Sequence, residues 1–207
     1  MKSDTIIKLE NCIFGAMRRE ARAAGMMASI VGVLFDVKPT LAGDFYEDEF
    51  KKIDLDEFVE LLNELGLKVL FYDRYHYPYD KVELIKNCYV SKDIKLAKQI
   101  QDAFNKLWST MDDAGRIVES EGWKETTKEV GELLGYPKTA IDGFINGRDL
   151  KDEDRVKIMK RNRYYAHSIE YEEEEYRQYD RIINIAVSKY APKTTDFMTK
   201  EKEKRWL

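Results

Sequence analysis

The sequence is short of the residues that build special chemistry. Among 207 residues there are two cysteines, two histidines, four prolines and three glutamines. Cys12 and Cys88 lie far apart and form no C-x-x-C or zinc spacing. That excludes a disulfide framework or a cysteine zinc site and favours two reduced, buried thiols, with a single disulfide as the alternative. No phosphate-cradling glycine loop, no G-x-S-x-G and no H-E-x-x-H is present. Long apolar runs are missing too. The longest uncharged stretch, Ala23 to Phe35, "AAGMMASIVGVLF", is short of the roughly 20 residues a membrane span needs. The N-terminus "MKSDTIIKLENC" carries no apolar stretch followed by a small-residue cleavage site, so no signal peptide is expected. Nor is there a charge excess: the net charge is −4, which gives phosphate or membrane binding no global drive.

What is there is charge of both signs. Charged residues make up 36% of the chain and apolar ones 43%. The apolar share suffices for a core, and the Lys/Glu abundance has the pattern of ion-pair networks in thermophiles. These features predict a cytoplasmic protein of thermophilic, archaeal or bacterial, origin, with no cofactor and no metal.

Local patterning predicts an α+β protein. A helix is expected from Thr5 to about Gly25, with Arg18, Arg19 and Arg22 at helical spacing. "SIVGVLFDV", β-branched and apolar, reads as a buried strand, and Pro39 with Gly43 as a loop. Asp54 caps a helix that Gly66 ends. "LKVLFYDRYHY" and "KVELIKNCYV" read as strands, and Ser91 as the cap of a long helix. Residues 1–112 thus form a small sheet with packed helices. Residues 113–192 read as all-helical, and residues 193–207 as a polar, mobile tail. An amphipathic helix from Tyr171 to Tyr190 is expected to bury Tyr176, Tyr179, Ile182, Ile183, Ala186 and Tyr190, with Pro192 as its stop.

The helical part contains "EVGELLGYPKTAIDGFINGR", Glu129 to Arg148, which reads as helix, tight turn, helix. Thr127 is the expected cap, Gly131 permits close helix approach, and Gly135 suits a turn with positive φ. Pro137 fits the first turn of the next helix. Thr126, Val130, Gly131, Leu134, Gly135, Tyr136, Pro137, Ala140, Ile141, Phe144 and Asn146 match the pattern of a known motif. Over about 22 residues the stretch resembles the helix-turn-helix of lactose-repressor-type proteins. The resemblance implies base reading from Lys138 and Thr139. Gly143 and Asp142 depart from it, one lacking a side chain and the other repelling phosphate. From Lys124 to Asp149 the hairpin and its flanks set four basic side chains against five acidic ones, whereas a groove-reading element is normally the most basic part of its protein.

"NCYVSKDIKLAKQI", "EVGELLGYPKTAIDGF" and "AHSIEYEEEEYRQYDRIINIAVSKYAPKT" follow one another between Asn87 and Thr194. In that order they resemble an uncharacterised archaeal family, domain of unknown function 483. Its hallmark turn corresponds to Gly135, Tyr136 and Pro137. Members often place cysteine soon after this turn; Thr139 and Ala140 stand there in this chain. The family carries no activity to transfer.

Further candidates are few. Arg155 to Arg163, "RVKIMKRNR", is a basic run without an acid inside it. With the hairpin it defines a candidate nucleic-acid surface of Lys138, Thr139, Arg148, Arg161 and Arg163. His167 with Glu170 and Glu174 lacks the second pair a ferritin-like metal site needs, and Glu172 to Glu175 read as an acidic first turn. His76 ends an aromatic strand. The tyrosines at 72–79 and 164–179 are able to stack on a ligand. The leading expectation is a non-enzymatic binding or protein-interaction protein, with a protein partner or a second copy of itself. A nucleic-acid binder is the alternative, and an enzyme built on His167 or His76 a second alternative.

Overall fold

The computed structural model describes residues 2–76, 83–110, 121–146 and 171–204. It is an α+β structure. Helices α1 (Lys2–Ala16) and α2 (Glu20–Leu34) precede strand β1 (Thr40–Tyr46), the short α3 (Glu47–Phe50) and α4 (Leu55–Glu64). Strands β2 (Lys68–His76) and β3 (Glu83–Ser91) follow, then α5 (Ile94–Ser109), α6 (Glu121–Leu133) and α7 (Lys138–Ile145). A last helical stretch comprises α8 (Glu172–Glu175), a π-turn (Tyr176–Asp180) and α9 (Arg181–Tyr190); α10 (Pro192–Lys204) ends it.

The sheet is antiparallel in the order β1-β3-β2, with Gly43 and Phe71 flanking Cys88 of the central strand. Because side chains alternate along a strand, Leu41, Phe45, Phe71, Cys88 and Val90 share one face. They join the main core with α1, α2 and α4. Leu70, Ala42 and Tyr89 share the other face, beneath α5 and α6.

The strand expected at "SIVGVLFDV" is a correction. These residues complete α2, in which ten residues from Ala23 to Leu34 are buried. A helix apolar all round is a core helix, and α2 packs on α1, α9, α10, β1 and β3. Burial on every side erased the one-sided periodicity that would have marked it as helical. It ends at Asp36, which takes φ 60°, a left-handed conformation that a short polar side chain tolerates. The loop expected around Pro39 and Gly43 is edge strand β1. Pro39 precedes the edge strand, where a missing N–H is tolerated, and Gly43 lies where α2 passes: a Cβ there would stand 2.7 Å from Met26 Cε.

The single helix expected from Thr5 to about Gly25 is also corrected, since the helix breaks between Ala16 and Glu20; several other expectations hold. Asp54 caps α4, its carboxylate accepting from the Asp56 and Glu57 amides at 3.1 and 3.0 Å. Gly66 ends that helix with φ 79°. For α5 the cap is Asp93 rather than Ser91, accepting from the Lys95 amide at 2.9 Å. Cys12 and Cys88 are free thiols, Cys88 buried as expected and Cys12 only half-buried; desolvation above all pushes their pKa values up to about 11 for Cys12 and about 12 for Cys88.

The tail expected to be mobile from residue 193 is a second correction: Pro192–Lys204 is helical and packs on α2. Pro192 stops α9 and starts α10, since its fixed φ suits a first helical turn. The seat is Glu10 of α1, fully buried. Its carboxylate accepts from the Lys193 amide at 3.0 Å and from the Thr194 amide and hydroxyl at 2.7 Å each. An anion thus meets the positive end of the helix. Helices from either side of residue 112 therefore share one core around α2.

Glu10→Ala would strand two amides and a hydroxyl away from water. It is expected to destabilise the fold by about 2–5 kcal/mol, with Glu10→Gln recovering part of the loss. Chemical denaturation checks this; a loss below about 1 kcal/mol would mean that α10 does not depend on this contact.

Candidate functional site

Two regions outside the main core concentrate polar groups: the seam beneath the helical hairpin, and the outer side of α8–α9.

The seam begins at the end of α2. The Lys38 amide bonds back to the Gly32 carbonyl at 3.1 Å, which lays its side chain over that glycine. A Cβ at Gly32 would stand 3.1 Å from Lys38 Cγ and Cδ and 3.6 Å from Ile183 Cδ1. Lys38 is only 7% exposed, and its ammonium lies 5.8 Å from the centre of the Tyr136 ring. Burial pushes the Lys38 pKa down to about 8 and raises that of the Tyr136 phenol.

The hairpin turn closes over this lysine. Gly135 takes φ 74°, and a Cβ there would strike Pro39 Cδ at 2.8 Å. The Tyr136 amide bonds to the Gly131 carbonyl at 2.9 Å. The Thr40 hydroxyl donates to the Leu133 carbonyl at 2.5 Å, and the Ser91 hydroxyl to the Pro39 carbonyl at 2.9 Å. Helix α7 folds back on α6 because Gly131 has no side chain; a Cβ there would lie 2.8 Å from Ile141 Cγ1. Gly135 and Gly131 thus behave as the sequence implies. Thr127 does not: it is buried inside α6, which extends back to Glu121. Pro137 occupies the N-cap of α7 rather than its first helical position.

The proposed base-reading residues separate here. Lys138 is exposed, whereas the Thr139 hydroxyl donates to the carboxylate of Glu175. Glu175 is itself buried, with Glu173 and Glu174 exposed beside it in α8. Thr139 at the start of α7 therefore faces a carboxylate, the sign a DNA backbone also carries. Ala140 and Ile141 are buried, while Asp142, Phe144 and Asn146 face outward. Arg148, Arg161, Arg163 and His167 lie outside the described residues. His76 ends β2, and its side chain also lies outside the described residues. Of the tyrosines read as stacking groups, Tyr72 stacks on Trp108 at 6.2 Å, with the Arg74 guanidinium 4.5 Å from that indole. Arg22, one of three arginines at helical spacing, is held inside the fold. It donates to both Glu49 oxygens at 2.7 and 2.8 Å and to Asp44 Oδ1 at 2.9 Å.

The second region differs from the expected amphipathic helix. The Arg181 amide bonds to the Tyr176 carbonyl, an i→i+5 closure. This wider turn rotates everything after it. Ile183, Ala186 and Val187 are buried, but Ile182 is 47% exposed and Ile185 60% exposed. The placement of Ile182 in the core is thus a correction, caused by one extra residue in a turn that helical periodicity cannot anticipate. Beside Ile185 runs an open groove of about 400 Å³ between α9 and α10, lined by Tyr176, Arg181, Asn184, Ser188, Met198 and Thr199 among others.

Among the described residues no group of three histidine, cysteine or acidic side chains is arranged to hold a metal ion. No described helix is long and apolar enough to cross a membrane. No family model matches the chain, and no curated protein or solved structure matches it significantly.

The Lys38 amine sets a pH test. Its folded-state pKa lies below the ordinary lysine value of 10.5, so the unfolded chain binds more protons between about pH 8 and 10.5. Lys38 therefore destabilises the fold below pH 8, and stability rises as pH climbs through that window. Lys38→Met is expected to lose this part of the rise. Denaturant titrations at pH 7, 9 and 10.5 check it; equal slopes in parent and variant would refute the assignment.

Proposed function

We propose that this chain is a protein-interaction protein that works through the outer side of α8–α9 rather than through a catalytic centre. The observation that carries this reading is the exposure of Ile182 and Ile185, one turn apart on a single helix. Exposed apolar side chains are ordinary one at a time; adjacent ones rimmed by polar groups characterise contact surfaces. The groove beside them supplies such a rim, with Arg181, Asn184 and Ser188 on its wall. Two apolar side chains with polar surroundings suit a modest, specific protein contact.

The nucleic-acid reading gains little from the described residues. Thr139 is engaged with Glu175, and several surface lysines are already opposed: Lys98 to Asp102 at 3.0 Å, Lys106 to Glu129 at 3.4 Å, Lys92 to Asp36 at 2.7 Å. Each opposed lysine has less to gain from releasing phosphate counterions. An enzymatic reading would rest on His167 or His76, and the described residues supply no side-chain geometry for either.

The test is a photo-crosslinking amino acid placed at position 185, with position 52 on the distant α3 corner as control. Irradiation in lysate of the native host is expected to give protein adducts at 185 and none at 52. Adducts at neither site would overturn the reading. Fluorescence anisotropy with labelled duplex DNA and RNA runs alongside. Salt-sensitive binding that weakens in an Arg161→Ala, Arg163→Ala double variant would replace the proposal with the nucleic-acid alternative.

A further inference from the structure

Glu174, Gln178, Ile182, Ile185 and Lys189 are all exposed. They follow one another at steps of four, four, three and four residues; Ile182, Ile185 and Lys189 stand in α9 at the spacing that places side chains in one row, and the contact between Glu174 and Gln178 carries the row into the π-turn. The row has polarity. It starts with a carboxylate, passes an amide, carries two isoleucines and ends with an ammonium. Glu174 Oε1 accepts from Gln178 Nε2 at 3.0 Å, and the Lys189 ammonium sits 5.0 Å from the Tyr190 ring. Neither Glu174 nor Lys189 makes an ion pair among the described residues, although Lys51, Lys98 and Lys200 each pair with an acid one turn away.

From the row, and resting on the interaction reading above, we infer that the partner is a second copy of this chain, docked antiparallel along α8–α9. The row matches its own reverse at its charged ends and at its centre. Turned end for end about a twofold axis at Ile182, Glu174 meets Lys189 of the copy, and Gln178 meets its Ile185. Ile182 packs against Ile182 at the axis. A twofold contact repeats every pairing, so two acid–base pairs flank the apolar centre. A parallel arrangement would instead set Glu174 against Glu174 and Lys189 against Lys189, which is repulsive at both ends. Charge thus selects the antiparallel register, while the isoleucines supply the apolar area.

The row spans 15 residue steps, roughly 22 Å of helix, so one helix face per subunit is buried. Such an area lies at the small end of specific interfaces. The dimer is therefore concentration-dependent rather than obligate, and each subunit folds on its own core around α2.

Sedimentation velocity of the full chain over a range of concentrations tests this. The parent is expected to show a reversible monomer–dimer equilibrium that weakens with salt. Ile182→Glu is expected to abolish the dimer with an unchanged circular dichroism spectrum, because position 182 lies outside the core. Lys189→Glu is expected to weaken the dimer about 3–10-fold, and Lys189→Glu with Glu174→Lys to restore it to within about 3-fold, as a coupled pair does. Restoration is what a merely structural role would not give. A chain that stays monomeric at the highest concentration overturns the inference, and so does a dimer insensitive to both Ile182→Glu and the charge swap. The crosslink at position 185 separates this failure from that of the parent reading. An adduct with a different protein keeps the interaction surface and rejects self-pairing; an adduct of twice the chain mass supports both.

Discussion

The constraint on which the rest of the structure depends is the burial of the second half of α2. That half, Met26 to Leu34, carries no charge, and the helix touches both helices and sheet. A helix end this apolar must be enclosed, and a three-stranded sheet covers only one side of it. The other sides fall to α1, α9 and α10, drawn from both ends of the chain. Close enclosure also dictates where side chains must be absent. Gly43 lets β1 approach Met26, and Gly32 lets the Lys38 stem lie flat between α2 and Ile183. Either glycine would be hard to place from sequence, because the demand comes from a partner element rather than from a turn.

Enclosing a helix with residues from distant parts of the chain brings charged groups indoors, and each is handled differently. Glu10 is matched to the free amides at the start of α10, where it satisfies donors that a helix leaves open. Glu49 takes the Arg22 guanidinium together with the Arg18 and Tyr46 amides, both at 2.9 Å. The Arg22 guanidinium also stands 4.4 Å from the Tyr46 ring centre. Removing one member of such a set leaves the others uncompensated, so these contacts specify the arrangement more than they stabilise it. Lys38 differs: its stem packs on apolar neighbours, its head lies above an aromatic face, and the cost of its burial shows in its lowered pKa.

What the sequence makes legible follows from how local each cause is. Asp54, Leu55 to Leu65 and Gly66 carry a cap, an apolar stripe and a stop within a dozen residues, and α4 forms where they indicate. The β2 and β3 runs have their alternation and composition in place. The hairpin is legible because Gly131, Gly135 and Pro137 act through their own backbone or an adjacent helix. By contrast α2 looks like a strand, because its β-branched run is buried on all faces and lacks one-sided periodicity. Helix α10 looks like a tail, because the carboxylate that caps it lies 183 residues earlier in the chain. The face of α9 is displaced by the π-turn, which changes the phase of the apolar pattern without leaving a residue type that announces it.

The same locality bears on the hairpin. Its resemblance to a DNA-reading motif lives in the residues that set the turn and the helix–helix contact, and those residues serve packing wherever they occur. What a reading head adds is a free, basic second helix. Here the turn is clamped to Pro39 and Thr40, and Thr139 is held by a carboxylate of α8. Placing α8 there also fixes the start of the helix that continues into α9. The contact that engages Thr139 is therefore also one that anchors the segment carrying Glu174, Ile182 and Lys189. One packing contact thus bears on both candidate surfaces, the hairpin's and that of α8–α9.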